Sequence, residues 1–201
     1  MLVPVKAFAD AKVRLAGVLD PEQRELLARW CAERVLAAAA PAPVYVVCDD
    51  EGVAVWAGEL GAQVLQRPGF GLDGAVNSSV VWLREQGVRH VVVAHGDLPL
   101  AHSLSETASD GSLVLVPDCR DDGTNVISIP TAMRFEVAYG PGSFRRHLTR
   151  ALAAGLAVTV RRDLRLSRDI DVPSDLTHPL VQEVLPPWLP TSPVSPPSIS
   201  A

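Results

Sequence analysis

No stretch of this chain is apolar over the roughly 20 consecutive residues that a membrane-spanning helix needs, so no membrane partner is expected. Cysteine is scarce: Cys31, Cys48 and Cys119 are odd in number and lack the paired spacing of a zinc site. They read as reduced, mostly buried thiols, as in a cytoplasmic protein. The N-terminus runs from Met1 to Lys6 straight into a strand-like pattern, without the charged and apolar regions of a signal peptide. Positive charge is in deficit, with 18 Lys and Arg against 23 Asp and Glu, and this argues against a nucleic-acid partner. Neither a Walker lysine motif nor a Gly-x-Gly-x-x-Gly fingerprint is present. No Ser-His-Asp or Cys-His arrangement stands out, so covalent catalysis is not expected. What remains is a chain 48% hydrophobic and 20% charged, long enough at 201 residues for one sizeable α/β domain.

The organising stretch is His90 to Leu100. Val91 to Ala94 form an unbroken apolar run, the pattern of a strand buried on both faces. Gly96 then frees the backbone and Pro99 forbids continuation in the ladder. Asp97 is thereby set at the carboxyl end of a central strand, where open α/β sheets bind ligands. On position alone two readings stand level: a ligand for a divalent metal, or a side chain capping the next turn.

Similar runs predict strands at Leu2 to Val5, Val44 to Cys48, Ala62 to Gln66, Leu113 to Val116, Val126 to Ile129 and Leu156 to Val160. Between them, Asp20-Pro21 with Gln23 predicts a capped helix to about Ala40, with Leu26, Leu27, Trp30, Val35 and Leu36 available to its buried stripe. Further helices are predicted through Val53 to Leu60, from Leu72 to Gln86 before Gly87, from Tyr139-Gly140 to about Ala154, and around Pro173 to Val184. The β-α alternation implies a doubly wound, three-layer Rossmann-like α/β fold with a mostly parallel central sheet and helices on both faces. The domain is expected to span 1–184, with 185–201 a Pro- and Ser-rich disordered tail.

Polar clusters fall at the predicted strand ends. Lys6, Lys12 and Arg14 follow the first strand, where doubly wound folds bind phosphates, though taken alone they read first as a solvated basic loop. Asp169 and Asp171 share a strand face at i and i+2; with Asp97 they make three carboxylates able to hold Mg²⁺ and offset phosphate charge. A loop leading to a capped helix competes for one of them. Gly123-Thr124-Asn125 and Gly140-Pro141-Gly142-Ser143 suit a small anion through backbone N–H groups and a helix start, or are ordinary turns and an N-cap. His147, one turn further on, reads as structural.

In that order these clusters resemble the guanylyltransferases of deazaflavin coenzyme F-420 biosynthesis. The resemblance rests on Val3 to Lys6 with Ala11 to Leu15, Gly71-Leu72-Asp73-Gly74, His95 to Leu100, Pro117-Asp118 with Asp122 to Asn125, Phe135 with Tyr139 to Ser143, and Asp169 to Pro173. It implies a nucleotidyltransferase fold that transfers GMP from GTP to phosphoenolpyruvate or 2-phospho-L-lactate, releasing pyrophosphate. It implies Mg²⁺ on Asp97, Asp169 and Asp171. Thr124, Gly140 and Ser143 would meet the phosphorylated acid. Lys6, Lys12 and Arg14 would face the GTP phosphates, and Gly71, Leu72, Asp73 and Gly74 would lie near the base. The product is expected to need a partner transferase for its capture. Val172 departs from the family's usual Thr, losing a hydroxyl that caps the last helix, and Arg120-Asp121-Asp122 is unusually acidic at the substrate mouth. Other readings are a nucleotidyltransferase for 3-phosphoglycerate or a molybdenum-cofactor substrate, a glycosyltransferase on a similar sheet, and a non-catalytic nucleotide-binding domain. Glycosyltransferases commonly carry Asp-x-Asp at the central strand, a place held here by His95. Exposed apolar positions late in the chain would permit a homodimer.

Overall fold

In the computed structural model, which describes residues 1–189, the apolar runs become seven strands. They are β1 (Leu2–Pro4), β2 (Tyr45–Cys48), β3 (Gln63–Gln66), β4 (His90–Ala94), β5 (Leu113–Pro117), β6 (Thr124–Pro130) and β7 (Val158–Val160). Valine recurs through them because its branched β-carbon suits a pleated surface. The strands pair in the order β3-β2-β1-β4-β6-β5-β7. β1 is parallel to β2 and β4, β2 is parallel to β3, and β7 is parallel to β5, whereas β6 runs antiparallel to both β4 and β5. The mostly parallel sheet is therefore as expected, with one reversal.

Four longer helices cover the two faces: α1 (Pro21–Ala38), α2 (Glu51–Glu59), α3 (Gly71–Glu85) and α4 (Ser143–Ala153). The predicted capping box of α1 is present: Gln23 N donates to Asp20 Oδ1 at 2.8 Å, and Asp20 N to Gln23 Oε1 at 3.0 Å. Alternation along the strands sends Val3, Val46 and Val92 to one face, against Ala28, Val35, Val53 and Trp56 of α1 and α2. Leu2, Val47, Val91, Val93, Leu115 and Ile127 face the other way, against Val76, Val80 and Leu83 of α3 and Phe144 and Ala151 of α4. The stripe of α1 differs from expectation. Leu26 is 42% exposed, while Ala28, Cys31 and Ala32 are buried beside Leu27 and Val35. Small residues let this helix lie close over the sheet.

The single last helix is instead two one-turn pieces, α5 (Pro173–Leu176) and α6 (Pro179–Gln182), because Pro179 has no N–H to continue the first. The start of α5 is held without a hydroxyl at Val172: Asp175 Oδ2 accepts from Asp171 N and Val172 N, both at 2.8 Å, and Asp175 N donates to the Val172 carbonyl at 2.9 Å. The tail boundary at 185 also needs correction. Leu189 is buried, and with Leu185 it packs into a third cluster with Leu15, Leu27, Leu100 and Ile170. The rest of the expected tail, 190–201, lies outside the described residues. Among the described residues, no helix is long and apolar enough to cross a membrane.

Candidate active site

The strand order changes direction between β1 and β4, since β1 leads outward to β2 and β3 on one side and β4 opens the other. Open sheets form a crevice at such a switch point, outside the carboxyl ends of the strands. A cavity of about 580 Å³ lies there, lined by Val5 and Lys6 after β1, Cys48 and Asp49 at the end of β2, Arg67 after β3, and His95, Gly96 and Asp97 after β4. That volume falls in the range of about 300–1,000 Å³ typical of small-molecule sites. Gly96 is not among the glycines with positive φ, and a Cβ there would meet Val5 Cγ2 at 3.5 Å and Ala32 Cβ at 3.7 Å, ordinary contact distances, so the expected backbone freedom is not used at this position.

Lys12 holds the centre. Its backbone is left-handed, with φ of 56°, a strained conformation for a residue with a side chain. Its ammonium, 7% exposed, donates to Asp97 Oδ2 at 3.1 Å and to the carbonyl of Ile170. Burial opposes charge on Lys12, yet the neighbouring Asp97 carboxylate raises its pKa. Burial likewise opposes ionisation of Asp97, but Lys12 holds its carboxyl below the usual range. No backbone N–H of the following turn is bonded to this carboxylate among the described residues, so the turn-cap reading of Asp97 fails. Its second oxygen, Oδ1, is buried with no hydrogen-bond partner among them.

Asp169 arrives from the far end of the chain because Ile170 N donates to Asp97 O at 3.2 Å, and Ile170 itself is fully buried. Burial and the charge of Asp97 push the Asp169 carboxyl up to about 6. Asn125 sits beside it, donating from Nδ2 to Leu166 O at 3.1 Å and lying 3.5 Å from Asp169 Oδ1. Two carboxylates that raise each other's cost of ionisation, one with an orphaned oxygen, fit a hard divalent cation. The expected set of three does not assemble. Asp171 lines the cavity but is ion-paired with Arg14, Asp169 lies beside Asp97 without lining it, and no group of three or more His, Cys, Asp or Glu among the described residues is placed to hold a metal.

The other expected residues divide. Lys6 and Lys12 line the cavity, whereas Arg14 stays outside it, 71% exposed, latching Asp171. Gly71 and Leu72 line the cavity; Asp73 and Gly74 do not. Asp73 instead accepts from Tyr139 N at 2.8 Å, and Gly74 lies close under Phe70, 3.3 Å from its Cβ by the position of an added Cβ.

Thr124, Gly140 and Ser143 do come together, but behind the cavity wall rather than on it. Ser143 Oγ accepts from Thr124 N at 3.1 Å, and Ser143 N donates to Gly140 O at 3.0 Å. Gly140 has φ of 95°, which requires glycine. Thr124 Oγ1 is 3.0 Å from His147 Nδ1, and Ala138 N donates to His147 Nε2 at 2.8 Å. Since Nε2 accepts, Nδ1 carries the proton and donates to Thr124. Burial, reinforced by Arg146 and Arg150, pushes His147 down to about 4, so it is neutral and structural, as expected. The acidic stretch after Pro117 is consumed in pairing: Arg120 with Asp175, Asp121 with Arg162, and Asp122 Oδ1 with Gly142 N.

Two cations escaped sequence reasoning. Arg67 ends β3 and faces the cavity; a basic residue closing a parallel strand was the available signal. Arg146 gathers the carbonyls of Ala138, Tyr139 and Pro141 at 3.0–3.1 Å and so fixes the Gly140 turn, a role no spacing announces.

Comparison with known proteins finds relatives over most of the chain. The family described as "Guanylyl transferase CofC like" matches residues 1–182. The phosphoenolpyruvate guanylyltransferase of Rubrobacter xylanophilus is 35% identical over 186 residues, covering 88% of this chain and 91% of its own. The 2-phospho-L-lactate guanylyltransferase of Methanoregula boonei is 34% identical, covering 88% and 79%. Among solved structures, a protein from Desulfovibrio desulfuricans named as a nucleotide-diphospho-sugar transferase superposes with a TM-score of 0.73 at 18% identity, covering 87% of this chain and 83% of its own. A nucleotidyl transferase from Methanothermobacter superposes at 0.58 with 16% identity, covering 88% and 94%.

Proposed function

This chain belongs to the guanylyl transferase CofC-like family, and we propose that it transfers GMP from GTP to phosphoenolpyruvate or 2-phospho-L-lactate in coenzyme F-420 biosynthesis. The observation that carries the reading is the meeting of Lys12, Asp97 and Asp169 at the end of β4, beside a cavity lined by Lys6, Lys12, Arg67, Asp97 and Asp171. A phosphate oxygen of the acceptor attacks the α-phosphorus of GTP; the bond from α-phosphorus to the bridging oxygen breaks, and pyrophosphate leaves with that electron pair. A phosphate dianion is already nucleophilic at neutral pH, so no general base is needed. The chain's task is positioning and charge stabilisation. Lys6, Lys12 and Arg67 face the triphosphate, and the Gly140 to Ser143 turn lies toward the acceptor. Arg14 acts indirectly, by holding Asp171.

Mg²⁺ is proposed on Asp97 and Asp169, where it supplies neutralisation of phosphate charge. Asp171 adds its charge nearby. Because Asp169 has to ionise to serve, MgCl₂ is expected to raise the melting temperature more at pH 7.5 than at pH 5. At pH 5.5 its binding is expected to release protons, measurable by titration calorimetry in buffers of different ionisation enthalpy. Equal stabilisation at both pH values, with no proton release, would remove Asp169 from the metal.

The activity is tested with GTP, MgCl₂ and, in turn, phosphoenolpyruvate, 2-phospholactate and 3-phosphoglycerate, following pyrophosphate. Release with one of the first two and not with ATP is expected. Release only with 3-phosphoglycerate would move the enzyme to a different acceptor, and none with any acceptor would refute guanylyl transfer. The phosphate anhydride formed is reactive, which fits capture by a partner transferase.

A further inference from the structure

Buried polar atoms nearly always find hydrogen-bond partners, so the exceptions point to chemistry outside the free protein. Three fall close together here: Asp97 Oδ1, His95 Nε2 and the Tyr139 hydroxyl have no partner among the described residues. The first belongs to the site already described. The other two belong to rings that meet edge to face, with centroids 4.7 Å apart at 74°.

Both residues are held at the backbone. Tyr139 N donates to Asp73 Oδ1 at 2.8 Å, its carbonyl accepts from Arg146 Nη2 at 3.0 Å, and His147 packs against the same ring at 5.3 Å. His95 N is fixed by Asn125 O at 3.0 Å. The pair also has a telling position. His95 lines the cavity beside Asp97, whereas Tyr139 directly precedes the Gly140 turn and is itself only 9% exposed. It therefore stands between the two halves of the site.

We propose that Tyr139 and His95 form a specificity element for the acceptor, donating to an anionic oxygen of a small phosphorylated acid. This rests on the guanylyl-transfer reading and adds two residues to it. A neutral phenol has one hydrogen to give, and a neutral imidazole has one N–H, placed here on the unpartnered Nε2 of His95. An oxyanion, which only accepts, complements both, and hydrogen bonds to charged acceptors are the stronger kind. Three charges act on the His95 ring: the Asp97 carboxylate, which is already paired with Lys12, and the Lys12 and Lys6 ammonium groups, which favour an anion. An apolar group would leave both orphans unsatisfied. Fixed backbones on both residues mean that little ordering is left for the moment of binding.

Tyr139→Phe deletes the hydroxyl and keeps the ring; His95→Phe keeps the edge-to-face contact and deletes the nitrogens. Each is expected to raise the KM for phosphoenolpyruvate about tenfold or more, with the KM for GTP unchanged and kcat within about twofold. Tyr139→Phe is also expected to leave the melting temperature unchanged or higher, because it removes a buried hydroxyl without a partner. A purely structural tyrosine would instead lower the melting temperature and shift both KM values together, which would overturn the proposal. An unchanged acceptor KM in Tyr139→Phe would do the same. If the wild type releases no pyrophosphate with any acceptor, guanylyl transfer fails but the pair is still read directly, by calorimetric titration with phosphoenolpyruvate. Binding to the wild type that Tyr139→Phe loses would sustain the pair; equal binding, or none to the wild type, would refute it.

Discussion

Asp97→Asn is expected to lower guanylyl transfer by about a thousandfold while leaving a folded protein. Asparagine keeps the shape of the side chain and an oxygen for the Lys12 ammonium, which lies 3.1 Å from Asp97 Oδ2. What disappears is the negative charge, on which both electrostatic partners of the site depend. The proposed Mg²⁺ keeps one carboxylate instead of two. Lys12, almost wholly buried, loses its counter-charge and is drawn toward the Ile170 carbonyl and Asp169. Metal stabilisation of a transferring phosphoryl group is worth several kcal/mol, and about 4 kcal/mol is the thousandfold expected. The cost to the fold is smaller, about 2 kcal/mol, because the Asp97 side chain is 31% exposed on the cavity wall. Steady-state pyrophosphate release and urea unfolding separate the two effects. Near-normal turnover would remove Asp97 from the chemistry. A protein that no longer folds would mean that its main role is to neutralise Lys12.

His147→Leu is expected to lose stability, by roughly 2–5 kcal/mol, or about 10 °C in melting temperature. Leucine fills much of the volume but makes neither bond of the imidazole, so Ala138 N–H and the Thr124 hydroxyl are left unpaired in the interior. The deficit has a pH signature. His147 titrates near 4 in the folded protein, below its ordinary value of 6.5. Between those values the unfolded chain binds more protons, so the histidine lowers stability as pH falls from 6.5 through 4. Leucine has no such dependence, so the gap between wild type and variant is expected to be widest at neutral pH and to narrow toward pH 4. Asp169 works in the opposite sense. With its carboxyl raised to about 6 from 3.8, the folded state binds more protons, and metal-free stability falls as pH climbs through that interval. Thermal melts of both proteins from pH 4 to 7.5 test the sign. A gap that widens on acidification would contradict a neutral, buried His147.

The seven strands were legible because each contains a short apolar run, several of them rich in valine, bounded by residues that stop a ladder, and the capping box at Asp20 announced α1. The reversal of β6 was not, since a strand buried on both faces looks the same in either direction, and all seven of its residues are buried. Asp97 was legible from the strand–Gly–Asp–Leu–Pro punctuation. Asp169 and Asp171 were legible as a pair but not apart: which of them turns toward Asp97 depends on Ile170 docking beneath β4 and on Arg14 claiming the other. The acidic stretch Arg120 to Asp122 read as a feature of the substrate mouth because charge is visible in sequence and its partners are not.

The docking of Ile170 on Asp97 has a further consequence, in the order of assembly. β7 ends at Val160, so every strand of the sheet has been synthesised before Asp169 exists. Chains emerge and begin folding from the N-terminus. A nascent chain can therefore complete its sheet with Asp97 facing Lys12 alone, and the carboxylate pair forms only when the last segment closes over it. Architecture comes first, and the groups that repel one another are brought together at the end, on a scaffold already rigid enough to hold them.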